Sequence, residues 1–433
     1  MKTRLLTMVA LFTFHSWLPA QPPTAPSQNP IIIKAQRILD VSNGKYVQNA
    51  AIWVEGEKIK EVGPADPLQT KAPAGTQVLD LGNLTLLPGL IDCHTHIMAS
   101  IPEGNDGYIL NLAKKSHAFR ALERASNARK MLYAGYTSIR DVENEGSGYA
   151  DVALRDAINA GLVPGPRMQV ATRTIAAVGQ YEPFQVSADV EDFPTGAQMI
   201  SGTEEARRAV RDQIGHGADL IKVYADWMHP TLTVEEIKTI VEEAHKQTRK
   251  VAAHATTPEG IKNALAAGVD SIEHGHFIDR AELEMMKTQG TFLVPTLYVV
   301  DRGVELETKN SLGKPAWTDR MLQSMQQEVS GARQLGIKIA AGFDTTSTEM
   351  HGKNALELSA LVKRGLTPIE AIKAATVNAA ELMGWQDQVG VLERDHYADI
   401  IAVEGDPLND IAVLQNVAFV MKGRALIKTQ KPQ

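Results

Sequence analysis

The sequence predicts an α/β chain: a (β/α)8 TIM barrel with a small flanking β-sandwich domain built from both ends of the chain. Three observations carry that prediction. Short apolar runs alternate with longer amphipathic stretches from about Leu87 to Gly384, the rhythm of strand–helix units. The segments on either side instead hold short β-like runs punctuated by glycine. Polar residues able to do chemistry recur near the C-terminal ends of the alternating strands, the face on which barrel active sites form. A doubly wound open sheet has the same local alternation, so the third observation is needed beside the first.

Residues 1–20, MKTRLLTMVALFTFHSWLPA, read as an export signal. Lys2 and Arg4 precede an apolar run from Leu5 to Phe14, which is too short to span a bilayer as a finished helix. Residues 21–30 carry four prolines and read as a linker. The expectation is a mature protein in the periplasm or outside the cell, with no membrane segment.

From residue 31 to 86 the runs IIIKAQRIL, AAIWVEG, KIKEVG and TQVLDLG predict strands joined by turns at Gly44, Gly56 and Gly63. Over 87–384 the predicted strands are LIDCHTHI, YTSIRDV, RMQVATR, DLIKVYADW, VAAHAT, SIEHGHF, TFLVPTLY and KIAAGFDT. Between them lie helix-like stretches. Thr233 with Glu236 marks a capping box, and Pro258 and Gly268 suit the first turn and the end of another helix. A long polar insertion, 179–202, follows the third strand and has the character of a lid or entrance. Residues 385–433 return to short apolar runs, ADIIAVEG, VAFVMKG and ALIKT, expected to join 31–86 in the small β domain.

Composition excludes several classes. Of 433 residues, 44% are apolar and 22% charged, which rules out wholesale disorder. The excess of 51 acidic over 44 basic residues gives a net charge of −7, so nucleic-acid binding is not expected. Cys93 is the single cysteine, which excludes an intrachain disulfide and cysteine-rich zinc modules.

His94 and His96 stand two apart in a strand, so their imidazoles share the inward face while Cys93 and Thr95 point away. Two such histidines can chelate a divalent metal, although the spacing alone is common in structural settings. His254, His274, Lys222 and Asp344 sit near the ends of four further strands. The convergence of all six, rather than any one, points to a metal centre. Tyr224 shares the inward face of Lys222 and is a candidate for substrate contact, with packing at the barrel rim as the alternative. His276 stands in the same relation to His274, with a solvated loop position as its alternative. For Arg140 a structural ion pair with Asp141 or a neighbouring loop is expected. His117, His216, His229, His245 and His351 read as surface or loop residues, His351 lying within reach of the pocket.

At this point the chain resembles the amidohydrolase superfamily over nearly all of its mature length. LLPGLIDCHTH is similar to the first-strand signature and ADIIAVEGDP to the return into the small β domain. RDAINAGLVPGPRM, DLIKVYADW and SIEHGHFID resemble the branch related to imidazolonepropionase, which holds prolidase-like dipeptidases and hydrolases of N-acyl amino acids, the ochratoxin type included. The resemblance implies two divalent metal ions, zinc being expected, bridged by Lys222 carboxylated on its side-chain nitrogen. It places His94, His96 and Asp344 on one ion and His254 and His274 on the other. If Lys222 is unmodified, a single ion is expected.

The activity implied is cleavage of an amide bond in a dipeptide or N-acyl amino acid. Asp344, the sole acid of its strand, is the expected proton carrier between the attacking water and the leaving amine. The expected partner is a small-molecule amide, and the chain is expected to form a homo-oligomer. Hydrolysis of a cyclic amide or lactone uses the same ligands and stays open. A deaminase of this superfamily carries a glutamate three residues after the fifth-strand histidine, where this chain has Thr257. A non-catalytic relative is expected to lack ligands, and none is missing.

Overall fold

A computed structural model describes residues 29–101, 107–181, 190, 193–227, 229–310 and 316–429. The expected signal, residues 1–20, and most of the expected linker lie outside the described residues, as does the middle of the 179–202 insertion. Among the described residues, no helix is long and apolar enough to cross a membrane.

The first five strands are β1 (Ile31–Asp40), β2 (Lys45–Glu55), β3 (Lys58–Pro64), β4 (Gln77–Asp80) and β5 (Thr85–Pro88). Nine more follow: β6 (Leu90–Thr95), β7 (Tyr136–Asp141), β8 (Arg167–Val170), β9 (Thr174–Ala177), β10 (Ala197–Ile200), β11 (Leu220–Tyr224), β12 (Lys250–Ala255), β13 (Ser271–His274) and β14 (Phe292–Val294). The chain closes with β15 (Ile400–Val403), β16 (Val417–Lys422) and β17 (Ala425–Thr429).

The N-terminal and C-terminal strands share one sheet, ordered β17-β16-β15-β5-β1-β2-β3, with β4 also pairing β1. Antiparallel pairing of β15 with β5 joins the two ends, with Ile401 opposite Leu87. Strand alternation then sorts the side chains. Ile400 and Ala402 enter an apolar core with Ile33, Ile52, Leu86 and Phe419, whereas Ile401 and Val403 pack into the main core of the molecule. Gly56 opens the β2–β3 turn at a φ of +57°, a left-handed conformation open to glycine at little cost.

The middle strands are parallel and lie in two runs, β6-β7-β8 and β10-β9-β11-β12-β13-β14. Hydrogen bonds link the runs. Asp219 N, just before β11, donates to Val170 O of β8 at 2.8 Å. At the other side, residues 338–344 lie between β14 and β6: Ala340 N donates to Leu293 O at 2.9 Å and Cys93 N to Ala341 O at 2.8 Å. Helices intervene between the strands as the pattern anticipates. Thr233 and Glu236 form the expected capping box before Val234–His245, Pro258 starts Pro258–Ala267, and Gly268 ends it at a φ of +86°.

Two features differ from the sequence expectation. The KIAAGFDT segment is extended but pairs through a single bridge, Leu293 with Ile339, and is not a laddered strand. Gly342 explains why it still runs close: a Cβ there would lie 2.5 Å from both His94 Cβ and a methyl of Val294. In addition, β9 precedes the polar insertion and β10 lies near its C-terminal end, and the two pair with each other, so that end is built into the parallel sheet. Neither four-residue strand is long enough to show a clear period.

Candidate metal centre and its cavity

The strand ends bring the six expected ligands to one place. His94 lies on β6 with His96 just beyond it, Lys222 on β11, His254 on β12, and His274 at the last position of β13. Asp344 follows Gly342 and donates its backbone N–H to His94 O at 2.9 Å. All six line a single cavity of about 300 Å³, whose other described lining residues are Ile101, Tyr108, Glu143, Glu145, Tyr181, Tyr224, Trp227 and Thr346. His274 and Asp344 have φ values of +70° and +54°. Such left-handed backbone at non-glycine residues is strained and tends to concentrate where a side chain must be aimed.

Distances within the cluster are short. His94 Nε2 and His96 Nε2 are 3.3 Å apart, and Asp344 Oδ1 lies 3.5 and 3.2 Å from them. His274 Nδ1 is 3.7 Å from Asp344 Oδ2, and the His254 and His274 rings meet edge to face at 4.5 Å. Ligand-type atoms of His94, His274 and Asp344 all fall within 4.8 Å of one another, as do those of His96, Glu143 and Glu145. Cys93 turns away as alternation predicts, packing against Ala379, and burial pushes its thiol up to about 12. Phe343 likewise faces outward and stacks on Tyr298.

Burial and mutual repulsion keep three of the imidazoles neutral. Burial, with the Lys222 charge, brings His94 down to about 4 and moves His254 well below its usual value. His274 is lowered in the same sense by burial and by His254. His96 goes the other way: burial opposes its charge, but Glu145 at 2.5 Å and Asp344 raise it well above the ordinary histidine value. Asp344 is also pushed upward by burial, yet His94 and His96 bring it down to about 2, so it is ionised at neutral pH. Burial lowers Lys222, favouring the uncharged amine that carboxylation requires.

The imidazole nitrogens of His94, His96 and His274 around the ionised carboxylate of Asp344 form a nitrogen–oxygen donor set, which suits a divalent first-row cation. The residues present therefore fit the expected metal group.

The substrate candidates fare differently. Tyr224 lines the cavity, but its hydroxyl donates to Glu143 Oε2 at 2.6 Å. His276 is buried 5.6 Å from the His274 ring and does not line the cavity among the described residues. His351 is also buried, and its Nε2 donates to Ala99 O at 2.9 Å instead of reaching the pocket. Arg140 is in a structural ion pair, though not with Asp141: it reaches Glu273 Oε1 at 2.7 Å across the interior.

Sequence reasoning missed the acids. Glu143 and Glu145 follow β7 and enter the cavity, accepting hydroxyl hydrogen bonds from Tyr181 and Tyr224 and from Tyr108 respectively. Burial and the neighbouring Glu145 push Glu143 up to about 7. Gly196 makes room for it, since a Cβ there would overlap Glu143 Oε1. Glu273 lies on β13 beside His274. Parity carried a signal for it: Ser138 and Arg140 share one face of β7, Ser271 and Glu273 one face of β13, and opposite charges at inward positions of short strands call for each other. Trp227, stacked on Tyr224 at 4.6 Å, completes an aromatic wall.

Comparison with known proteins agrees with this geometry. Residues 85–430 match the amidohydrolase family. Ochratoxinase of Aspergillus niger is 33% identical over 430 residues, covering 90% of this chain and 85% of the relative. Imidazolonepropionase of Deinococcus deserti is 26% identical over 364 residues, covering 79% and 83%. Among solved structures, a Xaa-Pro dipeptidase with methionine bound in its active site superposes with a TM-score of 0.81 at 30% identity, covering 92% of this chain and 99% of that one. The A. niger ochratoxinase structure gives 0.80 at 33% identity, covering 93% and 96%.

Proposed function

The chain belongs to the amidohydrolase family, and from that premise we propose that it hydrolyses the amide bond of a dipeptide or N-acyl amino acid. The observation that carries the reading is the convergence of His94, His96, His254, His274 and Lys222 on the ionised Asp344 at the strand ends. The parallel strands and the 338–344 segment are read as a closed (β/α)8 barrel, with the mixed sheet of the two chain ends as its flanking domain. The chain is further read as an exported homo-oligomer whose first 20 residues are removed.

Two zinc ions are the proposed metals: His94, His96 and Asp344 would hold one, His254 and His274 the other, and Lys222, carboxylated on its side-chain nitrogen, would supply a further oxygen ligand. Divalent ions bound there would acidify a water nucleophile and polarise the scissile carbonyl. The chain's own residues do the rest. Asp344, ionised and within 3.7 Å of three imidazoles, is placed to take a proton from the attacking water and return it to the leaving amine. Tyr224 and Trp227 offer an aromatic face to the apolar part of the substrate. The cavity, about 300 Å³, suits a ligand of dipeptide size.

Hydrolysis is favoured over deamination by the position of Thr257. Its hydroxyl donates to Asp226 Oδ2 at 2.7 Å and caps the helix Pro258–Ala267, accepting from Gly260 N, so it is not available to a substrate ring. A screen of the metal-loaded protein against dipeptides and N-acyl amino acids tests the reading. It should release a free amino acid, and release of ammonia instead would move the reading to deamination. Turnover confined to cyclic amides or lactones would keep the site and change the substrate class.

A further inference from the structure

We propose that Glu273, anchored by Arg140 and Ser271, is the positioning residue that fixes the tautomer and orientation of His94. Glu273 is fully buried, and each of its oxygens has a distinct task. Oε1 accepts from Arg140 Nη2 at 2.7 Å and from Ser271 Oγ at 2.5 Å. Oε2 lies 2.7 Å from His94 Nδ1. Arg140 is itself fixed, since its Nε donates to Cys93 O at 2.6 Å and its Nη1 to Ser271 Oγ at 3.1 Å. The anchor thus grips both the carboxylate and the backbone of the residue preceding His94.

The chemistry of the contact follows from the charges. Arg140 carries its charge at any ordinary pH and reaches Oε1 at 2.7 Å, so the group it pairs with is a carboxylate. An ionised carboxylate has no hydrogen to give, so the proton between Oε2 and Nδ1 belongs to His94. With Nδ1 turned to Glu273, Nε2 is the ring atom that faces His96 and Asp344. The hydrogen bond at Nδ1, 2.7 Å long, holds the ring in the orientation that presents this atom. A Glu273 serving only to neutralise Arg140 would have no need of its second oxygen.

The inference rests on the metal-site reading above and is tested on the full-length mature chain. Two variants are compared with wild type: Glu273→Gln, and the double variant Arg140→Met with Glu273→Gln, which leaves no unpaired buried cation. Zinc affinity is read by chelator competition and ligand geometry by the visible absorption of the cobalt(II)-substituted protein. Both variants are expected to bind zinc about 10- to 100-fold more weakly, with altered cobalt bands. Native affinity and native bands in the folded double variant would overturn the proposal and leave Glu273 as a core ion pair. Should both variants fail to fold, the intact chain decides. A hydrogen-bonded Nδ1–H resonance in histidine-labelled, metal-free protein, lost in His94→Gln, supports the proposal, and its absence contradicts it. Absence of metal binding in wild type would instead remove the metal-site reading itself.

Discussion

The Tyr224 hydroxyl donates to Glu143 Oε2 at 2.6 Å, and both side chains are buried in the wall of the cavity. This contact changes what Tyr224 can do: its ring faces the pocket while its oxygen is committed to an acid. Tyr224→Phe should therefore act first on stability. Leaving a buried acceptor without its partner costs about 1–3 kcal/mol, seen as an earlier midpoint in chemical denaturation with metal content unchanged. An unaltered midpoint with a large rise in KM would return the hydroxyl to the substrate.

Asp344 separates chemistry from folding. Asp344→Asn keeps the shape but cannot carry a proton, so turnover should fall by about 10²–10⁴-fold, with far-ultraviolet circular dichroism preserved. Near-native turnover would remove Asp344 from proton transfer.

Much of this site is legible in the sequence. The six candidate ligands are polar residues at or near strand ends, and strand parity aims His94, His96, Lys222 and Tyr224 into the cavity. Parity misled at β13. There Glu273 occupies the inward position, and His274 enters the cavity through its positive φ, a backbone feature that no spacing announces. Glu143 and Glu145 stayed hidden because they lie in the loop after β7, where no period applies. The strands β9 and β10 were missed because four residues are too few for a pattern, and the 338–344 segment because its close approach depends on Gly342.

A pH dependence follows from Glu357, whose carboxylate accepts the N–H groups of Leu297 and Tyr298. Burial raises it to about 8 from an ordinary value of 4.5. Between those values the folded chain holds a proton that the unfolded chain releases, so stability falls as pH rises through the window. Compared with Glu357→Gln, metal-free wild type should lose stability progressively from pH 4.5 to 8, by at most a few kcal/mol at about 1.36 kcal/mol per unit. Parallel curves for the two proteins would contradict the raised value.

Metal should also stabilise the fold. The candidate ligands, drawn from four strands and the 338–344 segment, are brought together only in the folded chain, so an ion held by them would bind that state preferentially. Zinc at 100 times its Kd should add about 2.7 kcal/mol per independent site. Chelation should lower Tm, and re-addition should restore it. A Tm indifferent to metal would mean that the imidazoles hold no ion.

The most direct test titrates zinc, with bicarbonate present, into metal-stripped protein while release of an amino acid from an N-acyl amino acid is followed. The rate should rise from near zero with bound zinc and level off at about two ions per chain, as a binuclear hydrolytic site requires. Full activity in the metal-free protein would contradict a metal-dependent amide hydrolase at this site.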